Sequence, residues 1–396
     1  MSPATCLGPS AILRMAYAKQ DLGPLTNALT QRVLGVEPDP AAMMDLATVL
    51  QSRGAGWAAE CLALQQQAVA LQPSYQVVHG NGTGPRLVAL VTPGDFMANT
   101  PVDFMLHGSE AVLILHYVTA MTTRLDLPPC DAAMLAIGES PASAPVLAAI
   151  APLIADLPAL NNLPALIASL TRDHVSHLLA NQPGLHAPPT FRLTRADLAA
   201  GAFPAGLTFP LLLRPIGSHA GLGLDQIIDA DELNMWLAEH TAPEVYAAPF
   251  VDYRGPDGLY SKQRVVLVGG RPYPGHLAAS DHWMVHYLNA DMEFHPERRA
   301  IEADWMASFD TGFAVRHADA IQTLHRIIPL DYFGIDCAEG PDGRLLVFEV
   351  DVAMIVHDMD DPALFPYKPA VMRRLFDAFV DLVQRQPALG QLTIPC

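Results

Sequence analysis

Two acid-bearing apolar runs constrain this chain more than anything else in it. Gly334-Ile335-Asp336 closes one short apolar run, Phe348-Glu349-Val350-Asp351 closes the next, and the turn Pro341-Asp342-Gly343 lies between them. Two such runs around such a turn predict a β-hairpin. Side chains at i and i+2 share a strand face, so Glu349 and Asp351 point the same way, and Asp336 can face them from the partner strand. Three carboxylates aimed at one spot repel each other unless a cation sits there. Hard oxygen donors of this kind suit Mg²⁺, which usually arrives carrying phosphates. The competing reading is an exposed hairpin edge with ordinary solvated acids.

The chain of 396 residues is long enough for two or three domains with a sizeable core. A hydrophobic content of 51% and a mean hydropathy of +0.22 exclude a disordered protein. The longest apolar region, 145–170, is interrupted by Pro152, Asp156, Pro158 and Pro164, so no membrane span is expected. The N-terminal residues lack a basic flank, apolar core and small-residue cleavage site in sequence, so no secretory leader is expected. Cys6, Cys61, Cys130, Cys337 and Cys396 form no metal-type spacing and are odd in number. A cytoplasmic protein with free thiols is the simplest reading. The formal charge of −18, from 41 acids against 23 bases, opposes nucleic-acid binding. Lysine is represented only by Lys19, Lys262 and Lys368 while arginine is common, a bias that makes a retained lysine the more informative residue.

Residues 22–75 read as helical, with 42–50 and 58–71 forming an antiparallel pair joined at Ser52-Arg53-Gly54-Ala55-Gly56. The pair, with Gly54, Ala68 and Leu71-Gln72-Pro73, resembles one tetratricopeptide repeat. A single repeat cannot bury both helix faces, so a cap packed on something else is expected. An α/β pattern follows. Strands are predicted at 86–92, 111–116 and 133–137, separated by helical patterns as in a small parallel sheet, with His79-Gly80-Asn81-Gly82-Thr83-Gly84 as the boundary before it. A Pro-rich zone spans 141–164, and one helix is expected over 166–180. From Pro188 the pattern changes to antiparallel strands with intervening helices: strands at 210–214, 245–248 and 261–268, a helix at 318–326, the acidic hairpin, and a last helix at 370–384.

After Arg214 the chain reads Pro215-Ile216-Gly217-Ser218-His219-Ala220-Gly221-Leu222-Gly223. It has neither Gly-Lys-Ser/Thr nor full Gly-x-Gly-x-x-Gly spacing. A strand ending in Arg-Pro and followed by such a loop can still present backbone N–H groups to phosphates, with the Arg214 fork beside them. A surface turn is the bland alternative. His276, His282, His286 and His295 lie close in sequence with Trp283 and Tyr287, but their spacing fits no familiar ligand set. A substrate-facing loop and a partly buried loop both remain open for them.

The order of these parts resembles the ATP-grasp superfamily, the fold of glutathione synthetase, D-alanine–D-alanine ligase and the ribosomal-protein glutamyl ligases. The resemblance covers about 161–383. Asn162-Leu163-Pro164, Arg172-Asp173 and Pro188-Pro189-Thr190 look like its opening pattern, in which a basic residue at the Arg172 position reaches the nucleotide phosphates. Phe209-Pro210-Leu211-Leu212-Leu213-Arg214-Pro215 looks like its phosphate strand, and Gly217, Ser218, Gly221 and Gly223 fall in its lid. Ala248-Pro249-Phe250-Val251 resembles the hinge whose backbone holds adenine. Lys262 and Arg264 lie on the strand resembling the one that carries its catalytic arginine. Asp336, Glu349 and Asp351 fall on its three metal positions. This sequence departs from the pattern in three places. The phosphate strand ends in Arg214 rather than Lys, and Lys262 is a candidate for the missing ammonium. The third metal position is Asp351 rather than Asn. Ala248-Pro249 replaces the acid that meets the ribose hydroxyls, leaving Asp252 as a shifted candidate.

The resemblance implies an α/β chain, α+β in its C-terminal part: an ATP-grasp fold preceded by a Rossmann-like domain and the helical region. The expected divisions are a tetratricopeptide-like cap at 1–78, a pre-ATP-grasp domain at 79–165, and the ATP-grasp unit at 166–396, split into a lid-bearing part (166–245) and a metal-bearing part (246–396). It implies an ADP-forming carbon–nitrogen ligase that uses ATP and Mg²⁺, or Mn²⁺ in its place. A substrate carboxylate takes the γ-phosphate, and an amine then displaces phosphate at the acyl carbon, with Arg264 facing the oxyanion. Carboxylate and amine are each open among amino acid, peptide and protein, and a homodimer is common in the superfamily. The segment after the last metal position often faces the acceptor there, making His357 and Lys368 candidates for substrate binding together with His282. Two rivals stand beside this: a phosphotransferase on the same fold, and a nucleotide-binding scaffold that recruits partners through the helical region, to which the three departures lend support.

Overall fold

The structure, a computed structural model, describes residues 2–218 and 221–386. His219 and Ala220 of the expected lid, and Cys396, lie outside the described residues. The chain runs from β1 (Ala4–Thr5) through α1 (Pro9–Tyr17), α2 (Gly23–Val33), α3 (Pro40–Gln51) and α4 (Ala58–Leu71) into β2 (Ser74–Val78). Then come β3 (Arg86–Val91), α5 (Val102–Met105), β4 (Val112–Tyr117), β5 (Ala132–Leu135) and α6 (Ala144–Ile154). The five strands form one sheet in the order β1-β2-β4-β3-β5. Strands β3, β4 and β5 are mutually parallel, as their continuous apolar runs predict.

The helical cap is not a separate unit. β2 pairs antiparallel with β4, and β1 pairs with β2, so the boundary expected at 78/79 falls inside a sheet. Tyr75 and Val77, at strand spacing after Pro73, are buried against it. Helix α3 is buried at every residue from Ala41 to Leu50 and packs against α1, α2 and α4. A helix enclosed on all sides is a core element, so the likeness to a repeat stops at the helix pair. Asp39 starts α3 by accepting the Ala42 N–H at 3.1 Å, and Gly54, at φ 110°, makes the turn towards α4 that a side chain would strain.

The single helix expected over 166–180 is two, α7 (Pro164–Ala168) and α8 (Arg172–Leu179). Thr171 is extended at the N-cap of α8, so Arg172 becomes its first residue. Next come β6 (Leu185–His186), β7 (Phe191–Thr194), α9 (Arg195–Ala199), β8 (Leu211–Pro215), β9 (Asp225–Ile227), α10 (Ala230–Glu239) and β10 (Glu244–Pro249). Four of these strands form an antiparallel sheet, β7-β10-β8-β9, with its own core around Leu211, Leu213, Trp236 and Val245.

The remainder is β11 (Tyr260–Val268), β12 (Arg271–Ser280), α11 (Pro296–Ser308), α12 (Phe313–Arg316), α13 (Ala318–Ile327), β13 (Tyr332–Glu339), β14 (Leu345–Asp351) and α14 (Lys368–Gln384). The sheet order is β12-β11-β13-β14-β6. β12 escapes the sequence because Pro272, Pro274 and Gly275 argue against a strand; it lies at the sheet edge, where proline is tolerated. One continuous core joins Val88 and Leu90 of β3 to Val265 of β11 and Phe333 of β13. A second joins Leu87 and Ala89, on the opposite face of β3, to Phe376 and Phe379 of α14. Each fully buried phenylalanine there contributes about 1.5–3 kcal/mol. No helix among the described residues is long and apolar enough to cross a membrane.

Candidate functional site

The acidic hairpin forms as its turn predicts. Asp336 pairs with Glu349 and Gly334 with Asp351, and a bulge at Phe348 shifts the register beyond them. Gly334 leaves room that a side chain would take: a Cβ there would lie 2.8 Å from the Met354 sulfur. Strand β11 pairs alongside, setting Arg264 directly opposite Asp336. Arg264 Nε donates to Asp336 Oδ1 at 2.8 Å and Nη2 to Oδ2 at 3.1 Å, while Nη1 donates to the Ile355 carbonyl at 2.9 Å. Lys262, two residues earlier on the same face, meets Asp336 Oδ2 at 2.8 Å. Burial opposes ionisation of Asp336, yet Arg264 and Lys262 hold its carboxyl well below the usual carboxylate range.

Arg172, delivered by the break before α8, donates to Glu349 Oε1 at 2.5 Å. Among the described residues the Asp351 carboxylate has a single hydrogen-bond partner, the backbone N–H of Ala353 at 2.9 Å. Burial, and then the charge of Glu349, push its carboxyl up to about 7. Among the described residues no three His, Cys, Asp or Glu side chains are gathered as a ready metal cage. The donor set nevertheless fits a hard cation: the charge of Glu349 raises the cost of ionising Asp351, which a divalent ion between them would relieve. Asp336 is neutralised by two basic side chains instead.

Arg214, on β8, is 9% exposed. Its Nε donates to Ser218 Oγ at 2.9 Å and its Nη2 to the Ser218 carbonyl at 2.5 Å. No carboxylate among the described residues lies within ion-pair distance of it. Burial, and then Arg172 nearby, pull its guanidinium down to about 10. A buried guanidinium with a second one close by and no anion of its own is a receptor for an anion.

All these groups line one cavity of about 900 Å³. Ala248, Phe250 and Val251 line its apolar end with Leu212 and Tyr246. The Phe250 N–H is already taken by the Pro210 carbonyl at 2.8 Å. Gly221 reaches the cavity, while Gly217 and Ser218 border a smaller chamber of about 230 Å³ beside Arg172 and Glu349. Gly223 lines neither and packs on Pro215.

Three expected site residues stand elsewhere. Asp252 is outside the cavity lining, clamped by Arg254, whose hydrogen bonds hold its carboxyl at about 2. His282 is exposed and accepts the Met284 N–H. Lys368 is 3% exposed, and its ammonium is spent on Asp360 at 2.8 Å, Glu302 at 3.2 Å and the Tyr287 hydroxyl. It buttresses the site without facing it. His357 does line the cavity, with its ring 5.9 Å from that of Tyr17, and burial lowers its pKa. Of the histidine cluster, His276 and His286 line the cavity, whereas His295 pairs with Glu297 at 2.6 Å.

The sequence reading missed two contributions. Glu139, just beyond β5, borders the smaller chamber with Arg172 and Glu349, and burial raises its carboxyl. The N-terminal part also supplies a whole wall of the large cavity, through Leu13 and Tyr17 of α1, Met44 and Asp45 of α3, and Thr100 to Phe104. Helix α1 is fastened there by Arg14 and by Tyr17, which pair with Asp358 and Asp360 of the segment after β14. His107 also meets Asp358, at 3.0 Å. No local motif announces these contacts.

No protein-family profile matches the sequence, and no curated protein matches it. Among solved structures, the chain is similar to a RimK domain ATP-grasp protein from Sphaerobacter thermophilus, at 17% identity over 75% of this chain and 99% of that one, with a TM-score of 0.41. It is similar to D-alanine–D-alanine ligase from Bacillus anthracis at 14% identity over 76% and 98%, with a TM-score of 0.42. The D-cycloserine synthetase DcsG gives 14% identity over 75% and 99%, with a TM-score of 0.41. Likeness of this degree carries no argument about function.

Proposed function

We propose that the protein is an ATP-dependent carboxylate–amine ligase of the ATP-grasp kind. The observation that carries the reading is Arg214: a buried guanidinium next to Arg172, without a carboxylate partner among the described residues, in the same cavity as three hairpin carboxylates. A buried guanidinium with no carboxylate of its own, beside a Glu349–Asp351 pair that a cation would relieve, suits a metal-bound polyphosphate better than a neutral ligand. The apolar end at Ala248, Phe250 and Val251 suits the flat face of a purine.

Glu349 and Asp351 would hold the divalent ion, while Asp336, the third expected ligand, is held by Arg264 and Lys262. When bound, the ion supplies charge neutralisation to the terminal phosphates. Arg172 and Arg214 orient the triphosphate for in-line attack by a substrate carboxylate on the γ-phosphorus, with ADP leaving. An amine then attacks the acyl carbon: the C–N bond forms, the C–O bond to phosphate breaks, and a proton is released. Arg264, held by Asp336 and the Ile355 carbonyl, keeps its charge at a fixed place beside the developing oxyanion. The segment around Gly217 and Gly221 would exclude water, which otherwise hydrolyses the acyl phosphate.

The test is calorimetric titration with ATP and Mg²⁺, wild type against Glu349→Gln. Micromolar binding that weakens at least about tenfold in the variant is expected for a lost charged ligand. No binding to the wild type at millimolar nucleotide would remove the reading. ADP release that needs no amine would instead favour the phosphotransferase.

A further inference from the structure

The two ends of the large cavity differ in what they offer a ligand. The end built from residues 172–351 carries Arg172, Arg214, Lys262 and Arg264 beside the hairpin acids. The wall built from residues 6–117 carries, among the described residues, no Lys, Arg or His. Its two buried acids are spent on the protein: Asp45 accepts the Leu7 and Gly8 N–H groups at 2.9 and 3.2 Å, and Asp103 accepts the Ser10 N–H at 2.6 Å. Its third acid, Asp95, is exposed and accepts the Met97 N–H at 2.8 Å. Its amides are spent likewise, Asn99 on both backbone groups of Thr92 and Gln65 on both of Gly94. What this wall leaves to a ligand is chiefly hydrocarbon.

Leu115 and Tyr117 supply the decisive observation. β4 is the middle strand of its five-stranded sheet, where side chains are ordinarily covered on both faces. Yet Leu115 and Tyr117, two residues apart on one face, are only half-buried and line the cavity. Helix α1 brings Leu13, Ala16 and Tyr17, at i, i+3 and i+4, to the same lining, and Met97 joins them. Hydrocarbon left in water at the centre of a sheet is a cost that an apolar ligand would remove. Unbranched methionine adapts to the shape of what it meets. The apolar lining is continuous with the reaction end. Ile355, whose carbonyl accepts from Arg264 at 2.9 Å, is half-buried in it, and two residues on, the ring of His357 lies 5.9 Å from that of Tyr17.

We infer that the acid this protein activates is a monocarboxylic acid with an apolar body, an aliphatic or aromatic tail that lies along Leu13, Met97, Leu115 and Tyr117 while its carboxylate stands at the phosphate end. The inference rests on the ligase reading for what happens to that carboxylate. There, a carboxylate oxygen bonds to the γ-phosphorus, the bond from that phosphorus to the bridging oxygen breaks, and ADP leaves with the electron pair. The tail takes no part and only holds the acid in register. An amino acid or a diacid fits less well. Each would carry a second charge onto a wall that has no base and whose buried acids are already bonded, where an unpaired charge is costly.

The experiment is calorimetric titration of the full chain, first with Mg²⁺ and a non-hydrolysable ATP analogue. Butanoate, hexanoate, octanoate, glutarate, L-alanine and n-octylamine are then titrated in their presence. The expected result is one acid per chain, with affinity rising about threefold for each methylene from butanoate to octanoate, as burial of a CH₂ group predicts. Met97→Gln and Leu115→Thr should each weaken octanoate by about fivefold or more and leave the affinity for the analogue as it was. Met97→Gln changes a loop side chain at nearly constant length, so it remains informative if Leu115→Thr loosens β4. A flat chain-length series, tighter binding of glutarate or L-alanine, or several weak octanoates per chain insensitive to both variants would overturn the inference. Tighter binding of n-octylamine than of octanoate would also overturn it, by assigning the chamber to the acceptor amine. Analogue binding with a flat series would end this inference and leave the ligase reading in place. A rising series without analogue binding would remove the ligase reading and keep the apolar-acid site.

Discussion

Arg264 closes a two-point fork on Asp336 from the neighbouring strand, at 2.8 and 3.1 Å, with both residues sunk below the surface. Strand register sets them face to face, so no loop has to be ordered to form the pair. Arg264→Met leaves Asp336 with Lys262 alone and should destabilise the fold by about 3 kcal/mol, as breaking a buried pair does. Denaturant melts would measure it. The reverse substitution, Asp336→Asn, should cost a similar amount and abolish ADP formation.

Arg214 behaves in the opposite way. Its charge is buried next to another of the same sign, a liability in the empty protein. Arg214→Met should leave stability unchanged or raise it by about 1 kcal/mol, while ATP affinity falls about tenfold or more. Thermal melts with and without nucleotide would show the two effects separating: equal loss of both would mean that Arg214 is only a packing residue.

Asn161 sits at φ 56° with 1% exposure and bonds both backbone groups of Tyr332, accepting its N–H at 2.9 Å and donating to its carbonyl at 2.7 Å. It thereby fixes the start of β13, the strand that carries Asp336. Asn161→Ala strands two buried backbone groups and should cost about 2–3 kcal/mol. An unchanged melt would show that water replaces the amide.

His116 on β4 is 4% exposed, bonds Ser74 Oγ at 2.8 Å, and burial lowers its pKa from 6.5 to about 4. Between those values the unfolded chain takes up the proton and the folded one does not. Stability from this group is therefore complete above about pH 6.5 and falls as pH drops towards 4. From pH 7.5 to 5 the loss should be about 2 kcal/mol, and His116→Asn should remove that part of the pH dependence. Parallel slopes for wild type and variant would contradict it.

The parts legible in the sequence were those whose signals are local. Pro341-Asp342-Gly343 between apolar runs announces the hairpin, and the order of Arg172, Arg214, Arg264 and the acids along the chain fits the way they converge. Long-range competition hid the rest. Lys368 reads as a free ammonium until Glu302, far off in sequence on α11, is found against it. Asp252 reads as a ribose acid, but Arg254 two residues on claims it. Leu13, Tyr17 and Met44, which wall the cavity, carry no motif at all. Their meaning comes from β1 and β2 drawing the N-terminal helices onto the sheet, and strands that short leave little periodicity to read.

That sheet has a consequence for how the molecule can be taken apart. Val88 and Leu90 on one face of β3, and Leu87 and Ala89 on the other, are built into cores completed by Phe333 and Phe376. A fragment beginning at residue 166 would keep every proposed phosphate and metal ligand on β8, β11, β13, β14 and α8, yet would open both cores to water. The residues proposed for the chemistry and the residues that make them fold together are different sets of the same chain. The first hundred or so positions therefore serve twice: once as the shape of a chamber wall, and once as ballast for the strands that carry the opposite wall.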